Sequence, residues 1–404
     1  MSSVALAQRS SVNNSSGPGA TPELELLLGC CGCAEPGVHG SRIRKLLSEG
    51  LAWQELLTLA ERHGLLPQLY SGMSEHSSCL PDDFLPLLRA RFERNVRQTL
   101  FLTDLLGRVL DAFDQHGVPA LVLKGPVLAQ MLYGDVALRQ FSDIDVLIRP
   151  VDVQRAKLAL EMLGFVPNLA LTSREEKAYI SSGYEYSFDS GEHKSLVEVQ
   201  WRILPKFYAV DFDTERFFDH IETVEVCGRS LKTVAAEDLL LVLCVHAAKH
   251  LWQKIAWIRD IAELTRSHTI DWELVAREAR RFGIRRIVEI TFYLAQELLE
   301  HTMPGSVQAA WNTDAASRRL GSEILESICA GREIETDSPA YFHLMLRLRE
   351  RRVDQIRFLW RLTLTPTITE WRAVRLPAPL FPAYHLVRIG RLLGRFSALL
   401  RYKT

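Results

Sequence analysis

Eight residues, Phe141-Ser-Asp-Ile-Asp-Val-Leu-Ile148, constrain this chain more than any other segment. Asp143 and Asp145 alternate with Ile144 and Val146, the pattern of a half-buried β-strand. Successive side chains of a strand point to opposite faces, so both carboxylates share one face while the apolar pair turns to a core. Two carboxylates held close raise each other's pKa unless a cation lies between them. The pair is therefore either costly or a cation site. Just upstream lies Lys124-Gly125, followed by a helix-length segment, and the amide end of a helix favours anions. Together they read as a site for Mg²⁺ and nucleotide phosphates. The bland alternative is two solvated carboxylates on an edge strand.

Composition sets limits around that segment. At 404 residues, 47% of them hydrophobic, the chain is long enough for two or three domains. Its formal net charge of −1 gives no bulk attraction for nucleic acid, so none is expected as an obligate partner. Seven scattered cysteines suit reduced thiols and a cytoplasmic location. Cys30, Cys31 and Cys33 cluster, but no second cluster completes a zinc site. Residues 1–22 are rich in Ser, Asn, Gly and Ala and are expected to be a disordered tail. The apolar run Val4 to Ala7 is too short for a signal peptide. No later run approaches the roughly 18–20 apolar residues of a membrane span, so no transmembrane segment is expected.

Periodicity divides the rest into three parts. Over 23–116 the pattern is helical: Leu46, Leu47, Leu51, Trp53, Leu56 and Leu57 suit a helix face, and Gly64 suits a C-cap. Phe84 to Phe113 is a long amphipathic helix whose Arg91, Arg94 and Arg97 read as a solvated face ahead of a phosphate contact. Over 117–235 the pattern is mixed. Strands are expected at Ala120–Leu123, Phe141–Ile148, Tyr184–Phe188 and Leu196–Ile203, helices at Val127–Tyr133 and Val151–Gly164, and a hairpin about Cys227-Gly228. In the Leu196–Ile203 strand, Val197 and Val199 face one side and Glu198 and Gln200 the other. Over 236–404 the chain returns to helix, with irregular connections in the proline-rich Thr365–Pro382. The basic last segment, with Arg388, Arg391, Arg395 and Arg401, is expected to dock on its own domain rather than on a membrane.

Lys124-Gly125, Tyr133, Arg139, Ser142-Asp143-Ile144-Asp145 and Leu196-Val-Glu198-Val-Gln-Trp201 stand in an order that resembles the nucleotidyltransferase superfamily with the polymerase-β-like fold. Within it they resemble the group of uncharacterised bacterial nucleotidyltransferases. The segment His246-Ala-Ala-Lys249-His250-Leu-Trp252 and Trp257-Ile-Arg-Asp260 is similar to that group as well.

The resemblance implies an α+β fold: a nucleotidyltransferase core of mixed sheet and helices, flanked by N- and C-terminal helical regions. It implies transfer of a nucleoside monophosphate from an NTP to an acceptor, a small molecule or a protein, with release of pyrophosphate. Asp143, Asp145 and Glu198 would be the catalytic carboxylates and hold two Mg²⁺, and Glu198 could also take the acceptor's proton. Lys124, Gly125, Arg139 and Ser142 would bind the nucleotide. Lys249, His250 and Asp260 are candidate acceptor or phosphate contacts, on a helix that walls the cleft. The chemistry itself asks for positioning and charge neutralisation, which two metal ions supply.

Two departures matter. Gly125 is followed by Pro126, which has no N–H to donate, where the superfamily has Gly-Ser or Gly-Gly. Glu198 and Gln200 stand where the nearest group often has Asp and His, and Gln cannot act as a base. His246 and His250 lie one helical turn apart, but Ala247 occupies the place where a zinc protease needs Glu, which excludes that reading. Two alternatives remain: a catalytically inactive nucleotide-binding or regulatory module of the same fold, and an RNA end-adding enzyme.

Overall fold

A computed structural model describes residues 20–32, 36–190, 196–303, 311, 314–336, 338–374 and 376–401. The N-terminal helices are α1 (Pro22–Gly29), α2 (Pro36–Glu49), α3 (Trp53–His63), α4 (Leu66–Ser74) and α5 (Phe84–Gln115). Of the expected disordered tail, residues 1–19 lie outside the described ones, as does Cys33. Its last residues are ordered: the Thr21 hydroxyl accepts from the Leu24 N–H at 3.3 Å and caps α1. The continuous helix face expected from Leu46 to Leu57 is in fact two helices, because Gly50 takes φ +82° and turns the chain between them. Gly64 does close α3 in the left-handed conformation.

Five strands form the central sheet: β1 (Ala120–Val122), β2 (Asp143–Ile148), β3 (Val166–Pro167), β4 (Glu185–Asp189) and β5 (Leu196–Gln200). Their order is β1-β2-β5-β4-β3, with β2 and β5 parallel and the other neighbours antiparallel. β1, β2 and β5 are shorter than the sequence pattern indicated, and β4 keeps its expected length but starts one residue later. β5 stops at Gln200 because Trp201 is fully buried and donates its indole N–H to the carbonyls of Ile180 and Gly183. Helices α6 (Gly125–Tyr133), α7 (Val153–Met162), α8 (Ser173–Ser182) and α9 (Thr214–Asp219) fill the connections. The hairpin of β6 (Ile221–Val226) and β7 (Arg229–Val234) turns at Cys227-Gly228, both at positive φ as a two-residue hairpin turn requires.

Ile144, Val146, Val197 and Val199 enter one core with Leu106, Val109 and Phe113 of α5 and Ala156 and Leu160 of α7. The opposite face is polar where β2 begins and apolar at Leu147, which enters a second core. That second core is continuous from α1, α3 and α4 to α10 (Ala236–Lys249), α11 (Ile255–Ser267), α12 (Trp272–Phe282) and α13 (Arg285–Leu299).

Among the described residues five further helices follow: α14 (Ala315–Cys329), α15 (Pro339–Arg347), α16 (Arg352–Leu364), α17 (Ile368–Ala373) and α18 (Tyr384–Arg401). The start of α18 is docked on the protein. Arg388 is 3% exposed and donates to the Leu362 carbonyl, and both Arg388 and Arg391 pair with buried Glu370. The side chains of Arg395 and Arg401 lie outside the described residues. Among the described residues no helix is long and apolar enough to cross a membrane.

Candidate active site

The strand parity read from the sequence delivers a polar cleft. Asp145 pairs in register with Glu198 of the parallel neighbour β5, and Asp143 lies two residues before it on the same face. Across the other edge of β5, Glu185 of β4 pairs with Gln200. These side chains line a cavity of about 300 Å³, closed on the far side by His246, Lys249 and His250 from the end of α10 and by Lys124 from the end of β1.

Lys124 Nζ lies 2.8 Å from Asp145 Oδ2 and 3.5 Å from His246 Nδ1. The Gln200 side-chain amide donates to Asp145 Oδ1 at 2.9 Å. Lys249 Nζ donates to the Tyr184 hydroxyl at 3.4 Å and lies over its ring. His246, His250 and Trp257 pack ring against ring, with centroids 4.9–5.2 Å apart.

Burial and charge set the protonation states. Asp143 is pushed up by burial and by the charge of Asp145, against the pull of Lys124 and Arg139. Burial also acts on Asp145, but the charge and hydrogen bond of Lys124, helped by a hydrogen bond from Glu198, hold it below the ordinary range. Glu198 is pushed up to about 8 by burial and then by Glu185 and Asp145. Burial likewise raises Glu185, partly offset by Lys249. His250 falls to about 3 through burial and the adjacent Lys249 and Lys124, and His246 falls well below its usual value for similar reasons. Both imidazoles are neutral near pH 7.

Among the described residues no three Asp, Glu, His or Cys side chains are already gathered as a metal cage. The donor set nevertheless fits a hard divalent cation. Asp143, Asp145 and Glu198 supply carboxylate oxygen, the ligand type such ions take. Their mutual repulsion is what a cation would relieve.

The remaining expected residues do not line the acidic cavity. Gly125 takes φ +61° at the start of α6, with Pro126 in the first helical turn. Ser142 and Arg139 open into an adjoining groove rather than into the acidic cavity. Arg139 donates to Asp260 Oδ2 at 2.9 Å, and the Tyr133 hydroxyl donates to Asp260 Oδ1 at 2.7 Å. Asp260 is 1% exposed with both oxygens engaged, so it anchors the wall of the cleft and is not available to a ligand. Burial acts to lower Arg139, but the charge and hydrogen bond of Asp260 more than restore it.

Two contributors lay outside the sequence reading. Glu185 alternates with buried Tyr186 and Phe188, a signal that was present but did not say which way the strand faced. Lys254 follows a turn in which Leu251 and Trp252 both adopt left-handed φ, at 54° and 52°. Such backbone costs on the order of 1–2 kcal/mol per residue. It is held by the fully buried Trp252, whose indole donates to Thr291 Oγ1 at 2.8 Å.

A larger cavity, about 950 Å³, lies on the other side of this turn against Glu323, Arg332 and Arg347, and none of the strand carboxylates line it.

No curated protein matches this sequence. Matching solved structures include ANT(2″)-Ia in complex with adenylyl-2″-tobramycin, at 16% identity and TM-score 0.34 over 45% of this chain and 97% of that one. A nucleotidyltransferase-like protein from Paracoccidioides brasiliensis matches at 13% identity and TM-score 0.31, over 52% of this chain and 96% of that one. Both are too distant to bear on substrate or acceptor. The sequence profile described as "uncharacterised nucleotidyltransferase" matches residues 49–300 and so takes in the sheet, the cleft and its α10–α11 wall. With more than half of its length matched, this chain belongs to the uncharacterised nucleotidyltransferase family.

Proposed function

We propose that this nucleotidyltransferase moves a nucleoside monophosphate from an NTP to the hydroxyl of a small-molecule acceptor, using Asp143, Asp145 and Glu198 as the ligands of Mg²⁺. The observation that carries the reading is the register of β2 and β5, which sets Asp145 against Glu198 on one polar face with Asp143 beside them. When bound between these carboxylates, the metal supplies Lewis-acid stabilisation of charge on the phosphoryl oxygens.

In the transfer a bond forms between the acceptor oxygen and the α-phosphorus, the bond from that phosphorus to the bridging oxygen breaks, and pyrophosphate leaves. The acceptor proton passes to a carboxylate on this face, with Glu198 the candidate. Lys124 holds Asp145 ionised and can reach a phosphate oxygen. Gln200 fixes the Asp145 carboxylate by donation and takes no proton. Lys124, Gly125, Arg139 and Ser142 remain the candidate nucleotide contacts.

A small-molecule acceptor is favoured by a second cavity of about 240 Å³ that shares Tyr184, Glu185, Lys249 and His250 with the acidic one. Tyr208, Tyr341 and several threonines complete its walls. A recess of that size admits a ring with its substituents.

The test is pyrophosphate release from each NTP with Mg²⁺ against a library of hydroxylated metabolites and against protein acceptors. Asp143→Asn/Asp145→Asn should abolish metal-dependent release while the fold is retained. Full activity in that variant would sink the reading. Tight NTP binding with no release against any acceptor would favour the inactive module.

A further inference from the structure

Beside the acidic cavity runs a second groove, about 300 Å³, lined by Arg91 and Arg94 of α5, Arg139 and Ser142 from the approach to β2, and Lys254 and Trp257 beyond α10. We propose that this groove binds the β- and γ-phosphates of the nucleoside triphosphate, which makes the N-terminal helix α5 part of the substrate site. The inference rests on the nucleotidyl-transfer reading above and locates its leaving group.

Three observations carry it. The cations come from three separate segments of the chain and converge on one recess, where four of them face a single carboxylate, Glu61, among its described lining residues. Arg91 is matched by Glu61 at 2.6 Å and Arg139 by Asp260. Arg94 and Lys254 are exposed and have no carboxylate partner among the described residues.

The groove also abuts the chemistry. Ser142 lines it, and the next residue, Asp143, lines the acidic cavity. Lys254 and Arg139 both act on the charge of Asp143. Trp257, in ring contact with His250, forms the partition between the two. An α-phosphate at the carboxylates would send its polyphosphate tail this way.

Finally, the start of α6, whose amide end would favour an anion, is one donor short, since Pro126 has no N–H. Charged side chains make up the loss. The arginine row of α5 thus divides: Arg91 and Arg94 face the groove, while Arg97 is exposed and does not line it.

The experiment is calorimetric titration of ATP with Mg²⁺, of AMP, and of inorganic tripolyphosphate into wild type, Arg94→Ala/Lys254→Ala and the control Arg97→Ala. Both mutated side chains are exposed, and melting curves will verify that the variants fold. The double variant should bind ATP and tripolyphosphate at least ~10-fold more weakly, the lower end of what charge-assisted hydrogen bonds contribute. AMP, which has no β- or γ-phosphate, should be unaffected, and Arg97→Ala should match wild type throughout.

Unchanged ATP affinity in the double variant overturns the proposal, and so does an equal loss for AMP. If tripolyphosphate binding depends on Arg94 and Lys254 while Asp143→Asn/Asp145→Asn keeps full metal-dependent pyrophosphate release, the groove stands and the nucleotidyl-transfer reading falls.

Discussion

Without a cation, Asp143, Asp145 and Glu198 cannot all be ionised at neutral pH. Asp145 keeps its charge beside Lys124, and the proton stays on Glu198, whose pKa is about 8 against an ordinary 4.5. A carboxyl raised on folding stabilises the folded state below its unfolded pKa. That contribution declines as pH rises through the interval and is gone above the folded value. Metal-free protein should therefore lose melting temperature between pH 7 and pH 9, and Glu198→Gln should flatten the slope. The window avoids the histidines: His63 and His250, lowered to about 4 and about 3, have finished titrating in the unfolded chain not far above 6.5. Mg²⁺ should raise the wild-type melting temperature at pH 9 and raise that of Glu198→Gln, which keeps Asp143 and Asp145, by less. Identical pH slopes for the two proteins would show that Glu198 is not the residue holding the proton.

Between elements, a buried tie beneath the cleft is the set of Tyr133, Arg139 and Asp260, joining the end of α6 and the approach to β2 to α11. Removing one member of a buried ion pair leaves the other charged and unpartnered, which costs ~3–5 kcal/mol. Asp260→Ala should lose that much stability in urea unfolding, and Tyr133→Phe less, about 1.5–3 kcal/mol, the worth of one hydrogen bond to a buried charged group. Equal losses, or a neutral Asp260→Ala, would refute the ranking. None of this could be read beforehand, because the partners lie 121 and 127 residues apart and the spacing between them carries no period. What was legible is local: the alternation in β2 and β5, the left-handed cap at Gly64 and the turn at Cys227-Gly228. α8 was legible too, through the reciprocal cap of Thr172 and Glu175, but went unread. The facing of Glu185 and the convergence of Arg94 with Lys254 depend on which elements end up side by side, and that is a tertiary fact.

At the scale of the whole molecule, the helices before the sheet are structurally inseparable from it. Leu102, Leu106, Val109 and Phe113 of α5 are fully buried in the core that holds Ile144 and Val146, while α1, α3 and α4 share the other core with α10 to α13. Burying one such side chain contributes roughly 1.5–3 kcal/mol. The four from α5 alone thus approach the ~5–15 kcal/mol by which a whole domain is stable. A fragment of residues 117–404, although it keeps every strand carboxylate, should therefore lack a cooperative thermal transition and the near-ultraviolet circular dichroism of fixed aromatic side chains. Leu106→Ala in the full chain offers a graded version, at about 2–5 kcal/mol for a truncated core leucine, read from urea unfolding. If 117–404 instead folds and binds ATP with Mg²⁺ as tightly as the full chain, α5 is dispensable both to the core and to the substrate. The basic groove would then have to lie on the faces that Arg139 and Lys254 provide by themselves.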